Sequence, residues 1–126
     1  MSSALPFALI AEDNELVAQA MRVLFEASGF RVGALARVGE IIAAARAEPV
    51  DLLLLDLGLA DGDGFDVLAG LRSHSAMPRA VVALTGQDDP DIAARCRAEG
   101  CAEVLVKPVP IRELVRLSLA LIGADH

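Results

Sequence analysis

Short, wholly apolar runs alternate along this chain with segments whose apolar residues recur at helical spacing. Phe7–Ala11 is apolar and stops abruptly at Glu12-Asp13-Asn14, which predicts a buried strand followed by a polar turn. Val17, Met21, Leu24 and Phe25 then fall on one face of a helix, with Gly29 where a left-handed C-terminal glycine belongs. Arg31–Leu35 reads as a second strand. Val38, Ile41, Ile42 and Ala45 mark a second helix, stopped by Pro49.

Leu52–Leu55 is continuous aliphatic sequence ending at Asp56, as expected for a parallel strand covered on both faces. Leu57–Gly64, rich in Gly and Asp, reads as loop, and Phe65 to Ser73 as a short helix carrying Leu68 and Leu71 inward. Ala80–Leu84 repeats the buried-strand pattern and stops at Thr85-Gly86. A helix is expected from Pro90, a residue suited to a first helical turn, to Gly100. Val104–Val106 is the last strand, followed by Lys107-Pro108. Ile111, Leu114, Val115, Leu119 and Ile122 then give a final amphipathic helix. Five strand–helix units predict an α/β fold, a doubly wound five-stranded parallel sheet flanked by five helices.

Composition narrows the class. The 126 residues suit one domain, taken here as 1–126 with a core at about 7–122. Hydrophobic residues make up 55 % and charged residues 23 %, so the chain has the apolar content of a packed globule. With four Phe and no Trp or Tyr, that core must be aliphatic. The net charge of −7 repels phosphate backbones and argues against a nucleic-acid partner. No apolar run approaches the roughly 20 residues a membrane helix needs, and Met1–Pro6 has no basic leader, so a cytoplasmic protein without membrane contact is expected. Cys96 and Cys101 are too few for a zinc site and read as reduced, structural thiols.

In sheets of this kind ligands bind beyond the carboxyl ends of the strands. The residues there are Glu12 and Asp13, Asp56, Thr85 and Lys107. Three converging carboxylates repel one another, and a hard divalent cation relieves that repulsion; Mg²⁺ takes one or two carboxylates with waters and phosphate oxygens. A lysine at the same rim offers a compact charge to a phosphoryl oxygen.

Glu12-Asp13-Asn14, Leu54-Leu55-Asp56-Leu57-Gly58-Leu59, Asp61-Gly62-Asp63-Gly64, Leu84-Thr85-Gly86 and Val106-Lys107-Pro108 together resemble the receiver domain of two-component response regulators, in order and at that family's spacing. The resemblance covers about Phe7 to Ile122 and takes in both chemotaxis-type single-domain regulators and hybrid-kinase receivers. It implies the flavodoxin-like receiver fold and a switch rather than an enzyme with a separate substrate. Asp56 would accept a phosphoryl group from a histidine kinase or histidine phosphotransfer protein. Asp13, Asp56 and the backbone carbonyl of Gly58 would bind Mg²⁺, with Glu12 acting through metal-bound water. Thr85 and Lys107 would each contact a phosphoryl oxygen, and the Lys107–Pro108 peptide would be cis. A downstream protein partner would use about residues 90–122. Because nothing after Ile122 reads as linker or second domain, no attached output domain is expected, and a receiver cut from a hybrid kinase or a relay intermediate stands as the alternative.

Two positions depart from the family. Val104 stands three residues before the lysine, where an aromatic is usual, and Ala60 stands four after Asp56, where Pro is frequent. The first removes the aromatic part of the usual switch; the second loosens a loop. Gly86 is small, as the family requires beside the phosphoryl group. A nucleotide- or flavin-binding reading lacks a glycine-rich loop after the first strand. A Ca²⁺ loop at Asp61–Gly64 would put Leu59 and Gly70 at its first and twelfth ligand positions, so turn chemistry explains that segment better. His74 lies between two serines and reads as an exposed loop residue. Arg95, Arg97, Arg112 and Arg116 read as solvated helix faces.

Overall fold

Alternate residues of each central strand point to opposite sides of one sheet, and that alternation builds two separate cores. The computed structural model describes Leu5–Gly123; the remaining residues of the 1–126 domain reading lie outside them. Its order is β1 (Phe7–Ala11), α1 (Glu15–Ala27), β2 (Arg31–Leu35), α2 (Val38–Ala47), β3 (Leu52–Asp56), α3 (Gly64–Ser73), β4 (Ala80–Thr85), α4 (Pro90–Ala98), β5 (Glu103–Val106) and α5 (Ile111–Ile122). The five strands are parallel in the order β2-β1-β3-β4-β5.

Leu9, Leu53, Leu55, Val81 and Ala83 pack with Ile41, Val67, Leu68, Leu71 and Cys96 from α2, α3 and α4. Ala8, Ile10, Leu52, Leu54, Val82 and Leu84 pack with Met21 and Phe25 of α1 and Leu114, Val115 and Ile122 of α5. Leu52 to Leu55 are each at most 1 % exposed, so β3 is covered on both faces as its continuous apolar run requires. Phe25 and Phe30 meet edge to face at 5.2 Å within the second core, and Phe7 is buried in the first; the rest of the interior is mainly aliphatic.

Helix ends follow local chemistry. The Asn14 side chain accepts from the Val17 N–H at 3.1 Å to start α1, and Gly29 leaves it at φ +97. Asp63 and Asp66 form a reciprocal capping box on α3. The sequence leaves 57–64 as loop; in the fold, Gly58–Leu59 pairs antiparallel with Gly62–Asp63 in a short hairpin. β3, β4 and β5 each extend one residue past the expected bounds, taking in Asp56, Thr85 and Glu103.

Candidate functional site

The sheet register delivers the polar residues to one rim. Ala11 pairs with Leu55, Asp56 with Leu84, and Thr85 with Val106. Three bonds carry the ladder one residue further: Glu12 N–H to Leu35 O (3.0 Å), Leu57 N–H to Leu84 O (3.0 Å) and Lys107 N–H to Thr85 O (2.7 Å). Glu12, Asp56, Thr85 and Lys107 are therefore placed by backbone pairing rather than by flexible loops. They line a cleft of about 800 Å³ together with Asp13, Gly58, Phe65, Gln87 and Ile92.

Glu12, Asp13 and Asp56 each bring a carboxylate oxygen within 4.8 Å of the others'. Glu12 and Asp56 are 6 % and 4 % exposed, while Asp13 faces solvent. Burial drives the Glu12 carboxyl up to about 7; the Asn14 N–H, bonded at 3.1 Å, opposes this, and the neighbouring charge of Asp56 adds to it. Asp56 is held from two sides: Oδ1 accepts from the Gly58 N–H at 3.0 Å, and Oδ2 pairs with the Lys107 ammonium at 3.1 Å. Thr85 Oγ1 accepts from the Gln87 N–H at 3.1 Å. A Cβ built on Gly58 or Gly86 meets nothing within 4 Å, so the cleft stays open on both flanks of Asp56.

The donor set suits Mg²⁺ on its own chemistry: three hard oxygen donors within reach of one ion, two of them out of bulk water, with one ammonium to balance the excess negative charge. Among the described residues this is the one such group of acidic, His or Cys side chains. The aspartates of the 61–64 segment are spent elsewhere, Asp63 on the cap of α3 and Asp61 Oδ1 on the N–H of Val38 at 2.9 Å, where it closes the start of α2. That cross-loop cap has no local sequence signal, since its partners are 23 residues apart.

The fold matches known proteins. Residues 8–118 match the response regulator receiver domain. The chain belongs to that family. It is 36 % identical over 114 residues to the KDP operon transcriptional regulatory protein KdpE of Escherichia coli K12, covering 90 % of this chain and 50 % of that protein. The chain spans about half the length of the curated relatives it matches first. Among solved structures, the receiver domain of Francisella response regulator 1452 superposes with a TM-score of 0.87 at 23 % identity, covering 96 % of this chain and 99 % of that one. The receiver domain of the sensor histidine kinase PA1611 from Pseudomonas aeruginosa superposes at 0.83 with 26 % identity, covering 95 % of this chain and 99 % of that one; it was solved with a magnesium ion coordinated in its active-site cleft. The receiver family is a signalling switch in two-component systems. The expected α/β receiver fold is thus the observed one.

Other residues sort themselves by place. The Lys107–Pro108 peptide of this receiver is cis. Val104 packs against the core on the α2–α3–α4 side. His74 is exposed at the C-terminal cap of α3, lining a separate hollow with Arg46 and Arg79. Cys96 and Cys101 are buried free thiols, and burial pushes Cys101 up to about 12 and raises Cys96 as well. Arg95 stays on a solvated helix face as expected, its side chain 60 % exposed, while its guanidinium lies 3.7 Å from the centre of the Phe65 ring. Sequence reasoning also leaves out an apolar groove beside the cleft, lined by Leu16, Val17, Ala20, Met21, Pro108, Val109 and Ile111. Leu16 is 84 % exposed there, a signal visible only once the helix face is known. No helix among the described residues is long and apolar enough to cross a membrane.

Proposed function

We propose that this chain is a two-component receiver, one domain over residues 1–126, that accepts a phosphoryl group on Asp56 from the phosphohistidine of a histidine kinase or phosphotransfer protein in the cytoplasm. The observation that carries this reading is the placement of Asp56: a buried carboxylate at the end of the central strand, held by Gly58 and Lys107 and joined by two further acids.

Asp13, Asp56 and the Gly58 carbonyl would hold Mg²⁺, with Glu12 reaching it through water. When bound, the ion offsets negative charge on the phosphoryl oxygens. In the transfer, an Asp56 oxygen bonds to phosphorus as the phosphorus–nitrogen bond breaks, and that electron pair leaves on the donor imidazole. Lys107 neutralises a phosphoryl oxygen, and the Thr85 hydroxyl donates to another. The strands and the two bonds on Asp56 preset the attacking geometry, which is most of what phosphoryl transfer asks of a protein.

The groove at Leu16, Val17 and Pro108 is a seat for the donor, because it adjoins the acceptor cleft through Val17 and Lys107. The surface from about residue 90 to 122 would meet the downstream partner. The output itself is open between a stand-alone switch, a relay intermediate and a receiver within a larger protein, since the similar proteins include both a transcriptional regulator and a sensor kinase.

The test is incubation with acetyl phosphate and Mg²⁺ followed by intact-mass measurement. Wild type should gain one phosphoryl mass and Asp56→Asn none; equal gain in both, or none in wild type, overturns the proposal.

A further inference from the structure

α2 begins without a cap of its own. Its N-cap position is Arg37, which has the extended backbone of a capping residue (φ −116, ψ 142) but a side chain with no oxygen to offer. The N–H of Val38 is taken instead by Asp61 Oδ1 at 2.9 Å, from a loop 23 residues further along the chain. A carboxylate at that end of a helix also meets the positive end of its dipole.

Ala60 and Asp61 are the two residues that turn the hairpin between Gly58–Leu59 and Gly62–Asp63. The turn has no proline to stiffen it, and an isolated two-stranded hairpin is marginally stable at best. Its fastenings are therefore external. At the open end Asp63 joins α3 through the capping box, and the Gly64 N–H bonds the Leu57 carbonyl at 2.8 Å. At the turn the tie is to α2, and the approach is close. A Cβ on Gly62 would lie 3.0 Å from Val38 Cγ2 and 2.9 Å from Asp66 Oδ2. α2 is a firm anchor, since Ile41 and Ala45 are buried in the first core.

We infer that Asp61 is a positioning residue for the metal site: by capping α2 it holds the hairpin, and with it the Gly58 backbone, against a helix anchored in the core. The inference rests on the proposed Mg²⁺ site, in which the Gly58 carbonyl is the ligand that comes from the hairpin. The Gly58 N–H also bonds Asp56 Oδ1 at 3.0 Å, so slack in the hairpin reaches the acceptor carboxylate as well. Groups that orient metal ligands from outside the coordination shell act on metal affinity in this way.

Isothermal titration of MgCl₂ into wild type, Asp61→Ala, Asp61→Asn and the double variant Arg37→Ser with Asp61→Ala tests this, with urea denaturation of each in metal-free buffer. Asp61→Ala should bind Mg²⁺ about three- to tenfold more weakly than wild type. Asp61→Asn loses the same charge but keeps an acceptor oxygen, and should stay within about twofold of wild type. Arg37→Ser supplies α2 with a local cap, so the double variant should regain metal-free stability while its Mg²⁺ binding stays weak. Should Asp61→Ala fail to fold, the double variant carries the comparison. Recovery of Mg²⁺ binding in the double variant, or wild-type binding by Asp61→Ala, makes Asp61 a helix cap and nothing more. Equal weakening in the Ala and Asn variants reduces it to a charge effect. Each of these results overturns the inference and leaves the metal site standing. If wild type binds no Mg²⁺, the metal reading fails and the inference fails with it.

Discussion

The ammonium of Lys107 lies 3.1 Å from Oδ2 of Asp56, and among the described residues it is the one cation lining a rim that carries three clustered carboxylates. The Asp56 side chain is 6 % exposed and the Lys107 side chain 38 %, so the pair is wet on one side only. Lys107→Ala leaves a buried carboxylate with the Gly58 N–H alone and with Glu12 close by. It should lower stability by about 1–2 kcal/mol, less than a fully buried pair because water reaches the lysine. Urea denaturation without metal measures this.

Mg²⁺ should have the opposite effect. A ligand that binds only the folded state stabilises it by about 2.7 kcal/mol at a hundredfold excess over Kd. Melting of wild type should therefore rise across a Mg²⁺ titration, and Asp13→Asn should flatten that rise. In the absence of metal the same variant should be no less stable than wild type, since it removes one of three crowded charges.

Glu12 sets a pH dependence whose sign is fixed. Burial raises its carboxyl from an ordinary 4.5 to about 7, so the folded state holds the proton more tightly than the unfolded state. The stability this contributes is full below about 4.5 and is lost as pH rises through about 7. Glu12→Gln, which cannot ionise, should gain stability relative to wild type between these values in metal-free buffer. The difference between the two stability–pH curves reads this directly, and a flat difference would contradict it. Metal binding to wild type should release a proton near neutrality and strengthen up to about pH 7.

The two thiols should be silent in the folded protein. Cys96 and Cys101 are 0 % and 6 % exposed, and both are pushed toward the neutral form. Iodoacetamide at pH 8 should label neither until denaturant is added, after which both react; mass measurement counts them.

Most of the scaffold is legible in the chain because its signals are local. Leu52–Leu55 and Ala80–Leu84 announce doubly covered strands by their unbroken apolar character, and Gly29 and Gly100 mark helix ends with positive φ of 97 and 110. The rim residues follow, since a parallel sheet exposes whatever comes next. What the sequence hides depends on distant partners. Asp61 and Val38 meet only after two helices are docked, and the Gly-rich 58–63 segment pairs with itself without any β-forming residue pattern. Arg95 is the solvated charge the sequence suggests, but the Phe65 ring that α3 brings beneath it has no local signal. The groove at Leu16 arises from α1, α5 and the turn after β5 together.

The sheet is a bulkhead. α1 and α5 lie on one side of it with the apolar groove, and α2, α3 and α4 lie on the other with the Arg95 contacts. Asp56 stands at the edge of the dividing wall, where traffic from either compartment can reach it. A body resting on the groove would stand on the other side of that wall from α4.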